Sequence, residues 1–151
     1  MALIDQIERD LKTAMLAGEK TKAEILRGIK SAFLYEAVSL GSKDKVLPET
    51  DAQRVLARES KKRAEAAEVY QKAGETARAE AEMTEKKIID GYLPQQMSED
   101  DLKKLVNKHV AALNATSQAD MGKVIGAVRQ EAGATADGAL IARLTREAIS
   151  Q

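Results

Sequence analysis

The chain has no cysteine. Disulfides, thiolate metal ligands and thiol nucleophiles are excluded, and a reducing, cytoplasmic home is the expected one. It has no tryptophan, one phenylalanine (Phe33) and three tyrosines, so aromatics make up 3% of the residues. The core must come from Leu, Ile, Val, Met and Ala. Stacking side chains, the usual equipment of single-stranded RNA readers, are scarce. A single histidine, His109, with no cysteine leaves little from which to build a zinc site. Neither sign of charge is in excess: 24 basic residues face 24 acidic ones. That balance argues against a strong, non-specific binder of nucleic acid. No long apolar run opens the chain, because Asp5, Glu8 and Asp10 interrupt it. The expectation is neither a signal peptide nor a membrane span. No Walker phosphate loop occurs, so ATP chemistry has no visible seat.

What the 151 residues do contain favours helix. Hydrophobic residues are 44% and charged residues 32%, with Ala, Glu, Lys, Leu and Arg prominent. Apolar residues recur at helical spacing in Leu3, Ile4, Ile7, Leu11 and Ala14, and Gly18 follows as a stop. Thr21 and Glu24 have capping-box spacing for a second helix carrying Ile25, Leu26, Ile29 and Phe33. Residues 41–50 read as a polar loop. A third helix from Thr50 to Ala73 and a fourth from Glu75 to Asp90 have thin apolar stripes, so they are expected to form a hairpin standing partly clear. Glu59 and Arg63 are spaced for an i,i+4 pair.

Gly91-Tyr92-Leu93-Pro94 then divides the chain. Gly91 suits a left-handed helix stop, and Pro94 forces an extended passage. Ser98 caps a fifth helix bearing Leu102, Leu105, Val106 and Val110. Ser117 with Asp120 caps a sixth helix bearing Met121, Val124, Ile125 and Val128. Asp137 caps a seventh bearing Leu140, Ile141 and Leu144. The fold class is therefore all-α. A four-helix N-terminal part of two antiparallel pairs, residues 1–91, precedes a small three-helix C-terminal domain, residues 92–151.

The candidate chemistry is sparse. His109 shares its helix face with Val106 and Leu113, which suits a structural histidine better than a general base. Glu82 and Glu85 lack the Glu-x-x-His that a di-iron bundle needs. No catalytic residue and no cofactor can be assigned. The most informative pair is Gly122 and Gly126, which costs roughly 1 kcal/mol each inside a helix relative to Ala. Either a neighbouring helix comes close, or an RNA backbone does, with Lys123 and Arg129 supplying phosphate contacts. From Leu102 onward seven basic residues stand against four acidic ones. The basic cluster from Arg58 to Arg63 is either a solvated helix face or a second docking point.

Tyr92-Leu93-Pro94, Met121-Gly122-Lys123-Val124-Ile125-Gly126 and the Ala136-Asp137-Gly138 turn resemble the GatB/YqeY family, as do Asp10-Leu11-Lys12 and Tyr70-x-x-Ala73-Gly74. The resemblance spans nearly the whole chain and is greatest to the free-standing YqeY-like members. Ile125 departs from the family's more frequent Met, both being apolar. The C-terminal domain is similar to the tail of the B subunit of the glutamine-dependent tRNA amidotransferase, a carbon–nitrogen ligase whose tail is implicated in holding tRNA. The resemblance thus implies a non-catalytic, tRNA-associated module linked to translation or tRNA-dependent amidation. The implied partners are tRNA and an aminoacyl-tRNA synthetase or amidotransferase subunit. Two alternatives stand beside it: an accessory to a carbon–nitrogen ligase, active only with a partner that supplies the chemistry, and a protein-interaction adaptor without an RNA role.

Overall fold

The computed structural model describes residues 2–150. Among the described residues it is helical throughout, without a strand: α1 Leu3–Leu16, α2 Lys20–Ser39, α3 Glu49–Lys72, α4 Thr76–Asp90, α5 Glu99–Ala112, α6 Met121–Ala132 and α7 Gly138–Ile149. Single 3-10 turns at Gln118–Asp120 and Gly133–Thr135 precede α6 and α7. The protein is all-α, as its patterning predicts. No helix among the described residues is long and apolar enough to cross a membrane. The chain divides into two compact units, Met1–Leu93 and Pro94–Gln151.

In the first unit α1 pairs with α2 and α3 with α4. Glycines close three of these helices in the left-handed region: Gly18 (φ 72), Gly41 (φ 75) and Gly74 (φ 77). An L side chain would be strained there. Two expected end signals are corrected. The second helix begins at Lys20 with Glu19 at its cap and no side-chain cap bond, so the Thr21–Glu24 capping box does not form. Bonds from Glu19 N to Ala14 O and from Lys20 N to Gly18 O tighten the turn and draw Thr21 into the helix. Gly91 is right-handed (φ −62), not left-handed. Two successive i→i+3 bonds, Tyr92 N to Ile89 O and Leu93 N to Asp90 O, end α4 instead.

The core of this unit joins Ile7 of α1, Leu26 and Phe33 of α2, Leu56 of α3 and Ile89 of α4. Beyond Ser60 the α3–α4 pair buries only Ala67 and Ala79. A buried methyl contributes about 0.8 kcal/mol, against about 1.5–3 for a leucine or isoleucine side chain. The distal hairpin is therefore the weakest-packed part of the unit. Charge ties it together. Arg63 Nη1 lies 3.1 Å from Glu82 and 3.8 Å from Glu85. Arg63 Nε and Glu82 Oε2 are nevertheless buried without a hydrogen-bond partner, so the attraction is offset by desolvation. The expected Glu59–Arg63 pair is replaced: Glu59 takes Lys62 at 3.1 Å, and Arg63 turns across to α4. Near the hairpin turn Arg78 lies 5.8 Å from the Tyr70 ring centre.

The segment after α4 is packed down. Tyr92 and Leu93 lie against the first core. The Tyr92 hydroxyl donates to Asp10 Oδ2 at 2.6 Å. Burial, then the bond to Asp10, raises the pKa of this phenol well above the tyrosine range.

Two stability measurements follow from this packing. Tyr92→Phe should lower unfolding stability by about 1 kcal/mol in a urea titration at neutral pH. The folded pKa lies above the unfolded one, so Tyr92 contributes fully below pH 10.0 and its contribution falls as pH climbs past that value. The Phe variant should lose that part of the alkaline slope. Glu85 also has a raised pKa, caused first by burial, with Arg63 opposing. Its ionisation therefore costs stability as pH rises through 4.5 and above. Glu85→Gln should gain on the wild type across that rise, and parallel stability–pH curves would contradict this.

Candidate nucleic-acid interface

The C-terminal unit is a three-helix domain formed by α5, α6 and α7. Leu102 and Val106 of α5, Val124 and Val128 of α6, and Ile141 and Leu144 of α7 make its core. Ser98 Oγ accepts from Asp101 N at 3.1 Å and starts α5. Just before that cap, Met97 N donates to Thr135 O at 2.8 Å and Gln96 Nε2 donates to Ala134 O at 2.9 Å. The entry to α5 is thereby pinned to the turn that leads into α7.

The start of α6 is also locked. Asp120 Oδ2 accepts from Thr116 N at 3.1 Å and from Ser117 N at 3.2 Å. These bonds, Thr116's first, hold the Asp120 carboxyl below its usual pKa, with a smaller contribution from the charge of Lys123. Gly133 (φ 57) closes α6, and Asp137 Oδ1 accepts from Ala139 N at 3.3 Å to open α7. Thr145, fully buried on α7, satisfies its hydroxyl by donating to Ile141 O at 2.7 Å.

This scaffold fixes which side of α6 faces outward. Val124 and Val128 point into the core, while Gly122, Lys123, Gly126 and Arg129 are exposed. A β-carbon added at Gly122 or Gly126 would meet nothing within 4 Å. The neighbouring-helix explanation for the glycines therefore fails. They form an open, nearly bare strip of helix backbone. On the helical wheel Lys123 lies on one flank of this strip and Arg129 on the other.

Arg129 leads toward α7. Its guanidinium occupies the space above Gly138, where a side chain at position 138 would collide with it. Gly138 is the residue that sequence reasoning missed. It stood inside the Ala136-Asp137-Gly138 turn, but nothing in periodicity or spacing connects it to Arg129.

Charge on the domain is partly committed. Glu131 receives Lys108 at 2.9 Å and His109 Nε2 at 2.6 Å, tying α5 to α6. Those hydrogen bonds, Lys108's first, depress the Glu131 pKa. His109 is thus part of an interhelical cluster hydrogen-bonded around Glu131. Arg143 pairs with Glu147 at 3.0 Å and also with Glu99. Lys103, Lys104, Lys123, Arg129 and Arg146 are exposed and make no ion pair among the described residues. The other candidate surface is mostly engaged: Arg58 pairs with Glu36 at 3.2 Å, Lys62 with Glu59, and Arg63 with Glu82.

A family model described as Yqey-like protein matches residues 4–149 of this chain. No curated protein matches it.

The open space above the two glycines has a direct consequence. Gly122→Ala and Gly126→Ala should each raise stability, by up to about 1 kcal/mol, because helix propensity improves and nothing is displaced. Thermal melts of the single and double variants read this out. A loss of stability would mean that another part of the chain uses the bare backbone.

Proposed function

Because the chain belongs to the YqeY-like family, we propose that it is a non-catalytic, tRNA-associated module of the cytoplasm, linked to translation or tRNA-dependent amidation. The observation that carries this reading is the open glycine strip of α6. Two glycines weaken a helix, and no neighbouring helix of their domain comes close to them. Bare backbone lets a bulky, regular polymer such as an RNA sugar–phosphate chain approach closely. Lys123 and Arg129 flank the strip as phosphate contacts, and neither belongs to the buried face. The balanced charge of the chain implies modest affinity carried by a local patch. Any carbon–nitrogen ligase chemistry would be supplied by an amidotransferase subunit as partner; an aminoacyl-tRNA synthetase would be a partner in tRNA handling alone.

Fluorescence titration of unfractionated tRNA at low and rising salt tests the proposal. Binding should be strongly salt-sensitive. The double change Lys123→Ala with Arg129→Ala should reduce the slope of log K against log salt by about 0.7–0.9 for each phosphate that is no longer neutralised. The thermal melt should be little changed, since both side chains are exposed. Absence of binding by the wild type at low salt would favour the protein-adaptor reading. Undiminished binding by the double variant would remove the site from α6.

A further inference from the structure

A groove in the N-terminal unit is unconnected with the RNA reading. It lies between α1 and α2 and is bounded by the loop leading into α3, with a volume of about 670 Å³. That is within the usual size range of small-molecule sites. Leu11, Phe33 and Leu47 contribute its apolar lining. Leu34 and Val46 also line it, yet they remain 47% and 65% exposed, so large apolar side chains at its lip are left to water.

The charges around the groove are unequally committed. Glu8 is met by Lys30 at 3.2 Å. Both oxygens of Glu49 accept the Leu3 amide at 3.2 Å. Both acidic groups of the lining therefore have partners. Arg27 and Lys45 also line the groove, and neither makes an ion pair among the described residues. Lys45 holds a left-handed backbone (φ 56), a conformation that disfavours lysine. Its loop is braced by Ser42, whose hydroxyl donates to Val46 O at 3.0 Å and accepts from Val46 N at 3.1 Å. The chain thus keeps a lysine at a strained position where glycine would fit more easily, which is frequent at ligand sites.

We propose that this groove binds a small amphipathic anion, a monocarboxylate with an apolar chain or ring. The apolar part would cover Phe33, Leu34 and Val46, and Arg27 and Lys45 would meet the carboxylate. Net positive charge at the rim selects an anion, and the apolar lining selects against inorganic phosphate.

Octanoate is a suitable probe, with octan-1-ol as its uncharged counterpart. Amide chemical-shift titration of the isotope-labelled full chain should show saturable octanoate binding, with shifts confined to groove residues. Octanol should bind several-fold more weakly. Arg27→Ala and Lys45→Gly should each weaken octanoate binding about three- to fivefold, as expected for exposed charges. Lys45→Gly should at the same time keep or raise the melting temperature, since glycine suits the left-handed backbone. That opposed pair of effects separates ligand binding from loop damage. Leu34→Asp should abolish binding while the chain stays folded. Equal affinity for octanol and octanoate would overturn the assignment of an anion. Diffuse, non-saturating shifts would overturn the site itself. Self-association of the wild type that Leu34→Asp abolishes would make the groove an interface between two copies, which also overturns the proposal.

Discussion

The need to bury one apolar stripe per helix constrains the rest of this structure. With a single phenylalanine and no tryptophan, each stripe is made of aliphatic side chains. Where the stripe carries Leu, Ile and Val, the helices converge on a core, as at Leu26, Leu56 and Ile89. Where it thins to alanine, along the distal α3–α4 hairpin, burial is small and Arg63, Glu82 and Glu85 hold the helices instead. Such a charge layer adds little net stability, because desolvation offsets the attraction, but it disfavours any register that separates the partners. There charge matching selects the register more than it adds stability.

The same constraint isolates the α6 strip. Core demand fixes Val124 and Val128 inward, so Gly122 and Gly126 have to turn outward. A glycine inside a helix is usually explained by a close neighbour. Nothing lies close above these two, and Arg129 instead reaches across to Gly138 on α7. The exposed surface is therefore backbone-rich, edged by cations and supported by a capped, three-helix scaffold. On the proposed reading, that combination receives a polyanion with a regular backbone. The one histidine is held by Glu131.

Much of the fold was legible in the sequence. Periodicity and stops located all seven α-helices, because each strong stripe was bounded by Gly, Pro or a capping residue. The errors have local causes. Thr21 has the right spacing for a cap, but the tight turn through Glu19 starts the helix two residues earlier. Gly91 could take a left-handed conformation, but the i→i+3 bonds at Tyr92 and Leu93 end α4 without it. Glu59 and Arg63 share a helix face, yet Arg63 reaches Glu82 on the neighbouring helix, which spacing along one helix cannot reveal. The four candidate residues of α6 could be named from the wheel. Whether the glycines were covered could not, since that depends on where the other helices lie. The pairings of Tyr92 with Asp10 and of Arg129 with Gly138 likewise join distant positions and are invisible to local pattern.

The exposed strip of α6 is proposed as the place where an RNA backbone arrives. Chemical-shift mapping of the isotope-labelled full chain with added tRNA at low salt tests it most directly. Perturbations should centre on the amides of Gly122, Lys123, Gly126 and Arg129 and fade as salt is raised. Perturbations centred on the helix from Arg58 to Arg63, or none at any salt concentration, would contradict it.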